Sequence, residues 1–327
     1  MEGKQERHQT KPIRCIVKLG GAAITCKNEL EKINEESLDI VSTQLRQAMI
    51  SGPSPSTKGP GMDWSKRHGE SEVFCTEDDF GEDAFVDSSR FVVVHGAGSF
   101  GHFQASKSGV HKGGLGQPLV KAGFVATRIS VTSLNLEIVR ALAREGIPSI
   151  GMSPFTCGWS TSERNIASAD LSMVAKAIDS GFIPGWRLSW MYFTLLGADS
   201  FLPPRFCMEM LCLMNYRFGP YVLGVYDRPP VEPNAVLLRE IAVHDDGSWD
   251  VVKPVLQNMT KVETTVAAHD TTGGMMTKIT EAAMIARLGI DVYIVKAATS
   301  YSLRALSGEL RGNIPDDWFG TVIRFMS

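Results

Sequence analysis

The stretch FVVVHGAGSFGH, residues 91–102, indicates the fold class of this chain most directly. Its consecutive valines are typical of a strand buried on both faces, and its glycines allow a tight turn from that strand into a helix. The stretch KLGGAAIT at residues 18–25 likewise follows an apolar strand that begins at Ile13, and TTGG at residues 271–274 precedes a helical pattern. Strands that alternate with helices in this way predict an α/β fold, a three-layer αβα sandwich with a mainly parallel central sheet.

Hydrophobic spacing predicts the other elements. Ser168 is a candidate N-cap for a helix that ends at Gly181, and Gly146 ends a longer helix before it. Predicted helices otherwise cover residues 37–49, 125–144 and 273–289, and predicted strands cover residues 147–154, 291–298 and 320–325. Because ligands of parallel sheets bind at the carboxyl ends of the strands, the glycine turns mark the expected site.

Composition narrows the function class. The chain has 327 residues, of which 43% are hydrophobic and 21% charged, as in ordinary globular proteins. Its net charge of −3 argues against a nucleic-acid binder, and it contains no apolar run long enough to span a membrane. The N-terminus lacks the apolar centre of a secretory signal, and the six cysteines form no CxxC pair. We therefore expect a cytoplasmic protein with reduced thiols and no membrane or nucleic-acid partner.

Residues 51–90 differ in composition from the rest of the chain. They are rich in Pro, Gly, Ser and acidic residues, and such a segment buries too little apolar surface to fold tightly. We expect a disordered insertion without a chemical role.

Three lysines lie beside the glycine turns: Lys18, Lys27 and Lys278. Backbone amides exposed by glycine and nearby ammonium groups together suit phosphate oxygens, and phosphoryl transfer chiefly requires alignment and charge neutralisation. None of the turns has the P-loop pattern GxxxxGK[ST]. Each motif alone is weak evidence, since glycine turns are often purely steric and most lysines are solvated. Their combination predicts a phosphotransferase.

Four segments resemble the amino acid kinase superfamily: KLGGAAITCK, VVHGAGSFGH, HDTTGGMMTK and LGVYDRPP. Within that superfamily GAGSFGH is similar to isopentenyl phosphate kinase, and the whole chain looks like a plant member. The resemblance implies transfer of a phosphoryl group from ATP, with Mg²⁺, to isopentenyl phosphate, which gives isopentenyl diphosphate for isoprenoid biosynthesis. It also implies a homodimer formed through a helix of the acceptor half. It covers about residues 13–49, 91–184 and 222–327. We expect one domain, with an acceptor-side part at about residues 13–184 and a nucleotide-side part at about residues 222–327.

The resemblance also implies roles for individual residues. Lys18, Gly20 and Gly21 would hold the ATP phosphates, and Lys27 would stabilise charge on the phosphoryl group in flight. His102, assisted by the backbone of Ala97, would bind the terminal phosphate of the acceptor. Gly98 would face ATP, and Gly274 and Lys278 would hold the nucleotide from the other side. For the isoprenoid tail, the helix after Gly113–Gly114 and the turn at residues 151–154 are the candidates. His95 is interpreted as a strand-end residue that fills a turn.

Residues 185–221 depart from the family pattern, and their FCMEMLCLMN stretch, residues 206–215, holds three Met and two Cys. Written in permitted codons and read from the third base, this stretch becomes Leu-His-Gly-Asp-Ala-Val-Leu-Asp-Glu, the segment that the family has here. We therefore interpret residues 185–221 as aberrant, a retained intron followed by an exon read in the wrong frame. The expected consequences are a gap in the parallel sheet and impaired kinase activity.

Three other interpretations remain. The chain could be another phosphotransferase of the superfamily, with a carboxylate or nucleotide acceptor. It could be a non-catalytic splice product that binds phosphate ligands or pairs with full-length subunits. A metal protein that uses Cys207, Cys212 and the neighbouring methionines is the weakest, because no His or third Cys is near.

Overall fold

The core of the protein is a nine-stranded sheet, seen in a computed structural model that describes residues 13–50, 61–63, 91–110, 113–162, 165–187, 207–214, 223–230, 232–254 and 274–326. Its strands are β1 (Ile13–Leu19), β2 (Phe91–His95), β3 (Ser149–Met152), β6 (Ile183–Arg187), β7 (Cys207–Met214), β8 (Glu240–Val243), β9 (Trp249–Lys253), β10 (Asp291–Lys296) and β11 (Thr321–Phe325). A separate hairpin consists of β4 (Ser160–Ser162) and β5 (Asn165–Ser168).

The strand order in the sheet is β3-β6-β2-β1-β7-β10-β11-β8-β9. All neighbouring pairs are parallel except β10–β11 and β8–β9. The mainly parallel sheet predicted from the sequence is thus confirmed. The strand at the C-terminus, β11, runs antiparallel to β10 but parallel to β8.

Helices cover both faces of the sheet. They are α1 (Gly21–Ile24), α2 (Glu35–Met49), α3 (Gly98–Ser108), α4 (Pro118–Arg144), α5 (Ser172–Asp179), α6 (Gly274–Ala286) and α7 (Ser300–Ser307). Side chains of β1 alternate between two cores: Val17 packs in the core that includes α2, α4 and α7, whereas Ile16 packs in the core that includes α5 and α6. This alternation produces the three layers of the predicted sandwich.

Local sequence sets the helix boundaries. The Asn34 side chain caps α2 by accepting from the amide of Ser37 at 3.2 Å, and acidic residues occupy the first turn. Helix α4 begins at Pro118, seven residues before the predicted start, because proline suits the first turn of a helix.

Ser168 does not cap α5, so that prediction is wrong. Ser168 belongs to strand β5, and the Asp170 carboxylate instead accepts hydrogen bonds from the Ser172 amide at 2.8 Å and the Ser172 hydroxyl at 3.0 Å. These donors stabilise the ionised form and lower the pKa of Asp170. Asp at this position competes better than Ser for the helix amides because it carries the charge that the helix N-terminus favours.

The expected gap in the sheet is also contradicted. Residues Cys207–Met214 form β7 between β1 and β10, parallel to both, with Leu211 opposite Val17 and Tyr293. Six residues of β7 pair with β1 and six pair with β10, within the segment that we interpret as aberrant. Backbone pairing on both edges therefore does not require the segment that the family has here.

Most of the predicted insertion at residues 51–90 lies outside the described residues. Its described part, residues 61–63, reaches α4, where the Met62 amide donates to the Ala143 carbonyl at 2.8 Å. No described helix is both long and apolar enough to cross a membrane.

Candidate active site

Two glycine turns touch each other at the carboxyl ends of β1 and β2. The strands are in register, with Leu19 opposite His95, and the Gly96 amide donates to the Leu19 carbonyl at 2.8 Å. A Cβ atom on Gly21 would lie 2.2 Å from the Gly98 nitrogen, and one on Gly96 would lie 2.7 Å from the Gly21 nitrogen. The predicted nucleotide turn and the predicted acceptor turn thus form one continuous backbone surface.

Gly98 is required for two reasons. Its φ angle of +50° favours glycine, and its absent side chain would stand 2.2 Å from the Thr25 hydroxyl oxygen. Gly98 begins α3, whose N-cap residue Ala97 offers no side-chain acceptor to the helix amides. The N-terminus of this eleven-residue helix carries partial positive charge beside the turn, an arrangement that favours a phosphate group.

His102 lies on α3, four residues after Gly98, and its side chain is exposed. The Ser99 hydroxyl in the preceding turn is buried and has no hydrogen-bond partner within the described part of the chain. The start of α3 thus combines a positive helix end with an exposed histidine, and both suit an anionic ligand.

The lysines occupy different surroundings. Lys18 is on β1, 5% exposed, on the sheet face that Ile16 shares with α6, whereas Lys27 is exposed in the loop after α1. Gly274 begins α6, which also carries Lys278 and packs on β10 and β11. Residues 255–273, which include most of the TTGG turn, lie outside the described residues. The structure brings Gly20, Gly21, Ala97 and Gly98 together and puts Lys18 directly before them.

The described residues contain no group of three His, Cys, Asp or Glu side chains that could hold a metal ion. Cys157 is half-buried, and burial raises the pKa of its thiol, which makes it less nucleophilic.

Sequence comparison shows the protein family of this chain. Residues 82–185 match the amino acid kinase family. The chain is 62% identical to isopentenyl phosphate kinase of Arabidopsis thaliana over 331 residues, which cover 99% of each chain. The chain belongs to the isopentenyl phosphate kinase family. A second relative, isopentenyl phosphate kinase of Methanothermobacter thermautotrophicus, is 28% identical over 90% of this chain and 95% of its own length.

Solved structures agree with this membership at the level of the fold. An X-ray structure of isopentenyl phosphate kinase superposes with a TM-score of 0.60 at 22% identity, covering 95% of this chain and 99% of its own. The product complex of the T. acidophilum isopentenyl phosphate kinase gives a TM-score of 0.59 at 17% identity, covering 95% and 100%. The resemblance predicted from GAGSFGH and the predicted fold class are thus confirmed.

The sequence did not predict two residues of this candidate site, Thr25 and Asn135. The Thr25 hydroxyl donates to the Gly21 carbonyl at 2.8 Å and accepts from the Ser99 amide at 3.1 Å, so it joins both turns. Threonine after a short helix has no sequence signature for such a bridge.

Asn135 of α4 is the second missed residue. Its amide donates to the Gly185 carbonyl at 3.0 Å and lies 2.9 Å from His95 Nε2, while His95 Nδ1 lies 3.1 Å from the Gly96 carbonyl oxygen. An Nδ1-protonated ring satisfies both contacts, because it donates to Gly96 and accepts from Asn135. His95 is fully buried, and its contact with the Gly96 carbonyl fixes the start of the acceptor turn.

Proposed function

We propose that this chain transfers the γ-phosphoryl group of ATP to isopentenyl phosphate, giving isopentenyl diphosphate and ADP. The 62% identity to a kinase of that name, over 99% of both chains, carries the proposal. The contact between the Gly21 and Gly98 turns supports it, since an in-line transfer needs donor and acceptor phosphates side by side.

The reaction asks for alignment and charge neutralisation. An oxygen of the acceptor phosphate forms a bond to the γ-phosphorus of ATP while the bond from that phosphorus to the β–γ bridging oxygen breaks, and ADP leaves. The attacking oxygen is already ionised near neutral pH, so the step needs no general base. Preorganised amides and cations therefore account for the catalysis that the chain provides.

We assign the residue roles accordingly. Lys18, Gly20 and Gly21 hold the ATP phosphates, and Gly98 faces ATP at the junction of the two turns. Lys27 stabilises the charge that develops on the transferred group.

The remaining roles flank that junction. His102 and the Ala97 backbone bind the terminal phosphate of the acceptor at the positive end of α3. Gly274 and Lys278 hold the nucleotide from the side of α6. The acceptor half is residues 13–184 and the nucleotide half residues 222–327.

We propose that Mg²⁺ binds together with ATP. Magnesium keeps several waters and is bound by substrate phosphates with few protein ligands, which agrees with the lack of a carboxylate cluster among the described residues. The ion would neutralise the phosphate charge that the lysines face. The net charge and reduced-thiol composition support a cytoplasmic location.

We also propose a homodimer formed through α4. Val125, Ile129 and Leu136 lie on one face of this helix with 52%, 66% and 47% of their surface exposed. Three large apolar side chains in a helical stripe are the usual composition of a helix–helix interface. Ile129→Asp should lower the dimer fraction in light scattering, whereas Met284→Asp on the exposed side of α6 should not; a monomeric wild type would refute the dimer.

The acceptor defines the decisive assay. ADP release is coupled to NADH oxidation with isopentenyl phosphate, uridylate or acetylglutamate as acceptor, each with ATP and Mg²⁺. Turnover with isopentenyl phosphate and with neither of the other two acceptors supports the proposal. Turnover with only uridylate or only acetylglutamate would contradict it and identify that compound as the acceptor. ATP binding without turnover on any of them would favour the non-catalytic splice product and the impairment expected from residues 185–221.

A further inference from the structure

The Thr25 side chain is a buried polar bridge between the two glycine turns. Only 3% of Thr25 is exposed. Its hydroxyl donates a hydrogen bond to the Gly21 carbonyl at 2.8 Å and accepts one from the Ser99 amide at 3.1 Å. One oxygen atom therefore bonds to both the nucleotide turn and the start of α3.

Thr25 also replaces a missing helix cap. An N-cap side chain normally accepts from the second or third amide of its helix, but Ala97 has no acceptor to offer α3. Ser99 is the second residue of α3, and the Thr25 hydroxyl accepts its amide from outside the helix. The cap of α3 thus belongs to the nucleotide turn.

We propose that Thr25 is a positioning residue whose hydroxyl fixes the distance between the Gly21 turn and the first turn of α3. The inference rests on the function proposed above and adds a residue to it. A Cβ atom on Gly98 would lie 2.2 Å from Thr25 Oγ1, so only glycine at position 98 leaves room for the bridge.

The physical reason is the steep dependence of transfer on geometry. The two turns would hold phosphates from different molecules, and only their separation brings the acceptor oxygen into line with the γ-phosphorus. A displacement of about 1 Å in such a site reduces the rate by about 100-fold even when binding is little affected. A bridge between the turns thus acts on kcat more than on KM.

The test compares two substitutions at Thr25. Thr25→Val keeps the volume and branching but removes the hydroxyl, and Thr25→Ser keeps the hydroxyl. We expect Thr25→Val to lower kcat by about 10- to 100-fold with small changes in both KM values, and Thr25→Ser to restore most of the turnover. Thr299→Val is a matched control, because the Thr299 hydroxyl makes the same two kinds of hydrogen bond. It donates to the Lys296 carbonyl at 2.8 Å and accepts from the Ser302 amide at 3.3 Å.

Thr299→Val should lower the melting temperature without lowering kcat, since its hydroxyl caps α7 rather than the two turns. Equal kcat in Thr25→Val and wild type would overturn the inference. Equal losses of kcat in Thr25→Val and Thr25→Ser would also overturn it. So would a loss of kcat in Thr25→Val that a lower melting temperature fully accounts for.

Hydrogen exchange separates this inference from the proposed function, because it needs no substrate. Thr25→Val should speed exchange of the Ser99 amide, and Thr25→Ser should not. If wild type turns over a different acceptor, the variant series is run with that acceptor. If wild type turns over none, unchanged exchange in Thr25→Val rejects the bridge, and faster exchange shows that the bridge exists in a protein whose proposed activity is wrong.

Discussion

Gly21→Ala tests whether the two turns work as one surface. The added Cβ atom would lie 2.2 Å from the Gly98 nitrogen and 2.6 Å from the Gly98 Cα, both backbone atoms that cannot rotate away. Ordinary contact begins at 3.4 Å, so the turns must separate by about 1 Å. Overpacking of this kind costs about 1–3 kcal/mol of unfolding free energy.

The same displacement should reduce turnover much more than it reduces stability. We expect kcat/KM for isopentenyl phosphate, measured by coupled ADP release, to fall by about 100-fold in Gly21→Ala. Gly116→Ala is the matched control, because a Cβ atom there meets nothing within 4 Å. Equal turnover of Gly21→Ala and Gly116→Ala would contradict this prediction, since the transfer would then tolerate separated turns.

Three further predictions concern single side chains. His102→Ala should raise KM for isopentenyl phosphate by about 10- to 100-fold, because one charge-assisted hydrogen bond is lost, and should leave KM for ATP unchanged. His244 pairs with Asp250 at the β8–β9 hairpin, so the control His244→Ala should change neither KM value. Asn135→Leu should lower the unfolding free energy in urea by about 1–3 kcal/mol because buried His95 loses a donor, whereas Gln47→Leu on the exposed face of α2 should be neutral. Asp170→Ala should lower the melting temperature near neutral pH, and the difference should vanish as pH falls through the folded pKa of Asp170, below 3.8, because the stabilising form is the carboxylate; a pH-independent difference would contradict the capping role.

The sequence predicted most of the fold because the signals were local. Consecutive valines in β2 and glycines at the strand ends report burial and turn geometry at the residues themselves. The two missed residues act across long separations: Thr25 bonds to Ser99, and Asn135 to His95. Such pairs have no spacing rule, since only the tertiary fold brings them together. Ser168 failed for the related reason that Asp170, two residues later, is the better acceptor.

For strand β7, the sequence predicted a gap in the sheet where the structure has a paired strand. A permitted set of codons for residues 206–215 gives the family segment in a shifted frame, yet residues Cys207–Met214 pair with β1 and β10 in the centre of the sheet. A wrong-frame origin and a formed strand are compatible, because a parallel ladder requires backbone amides and an apolar run rather than a particular sequence. The coding DNA tests the origin, and if no adjacent frame encodes His-Gly-Asp the frame interpretation is wrong.

Proline substitution tests the strand itself. Leu211 lies opposite Val17 on one side and Tyr293 on the other, so Leu211→Pro removes an interior ladder amide and should cost about 3 kcal/mol or more in urea unfolding. Asp245→Pro is the control, because Asp245 follows His244 in the turn that the Gly247 amide closes onto the His244 carbonyl at 3.0 Å, a position that favours proline. Equal stability of the two variants would mean that residues 207–214 do not complete the sheet. The gap between β1 and β10 that the sequence predicted would then be real.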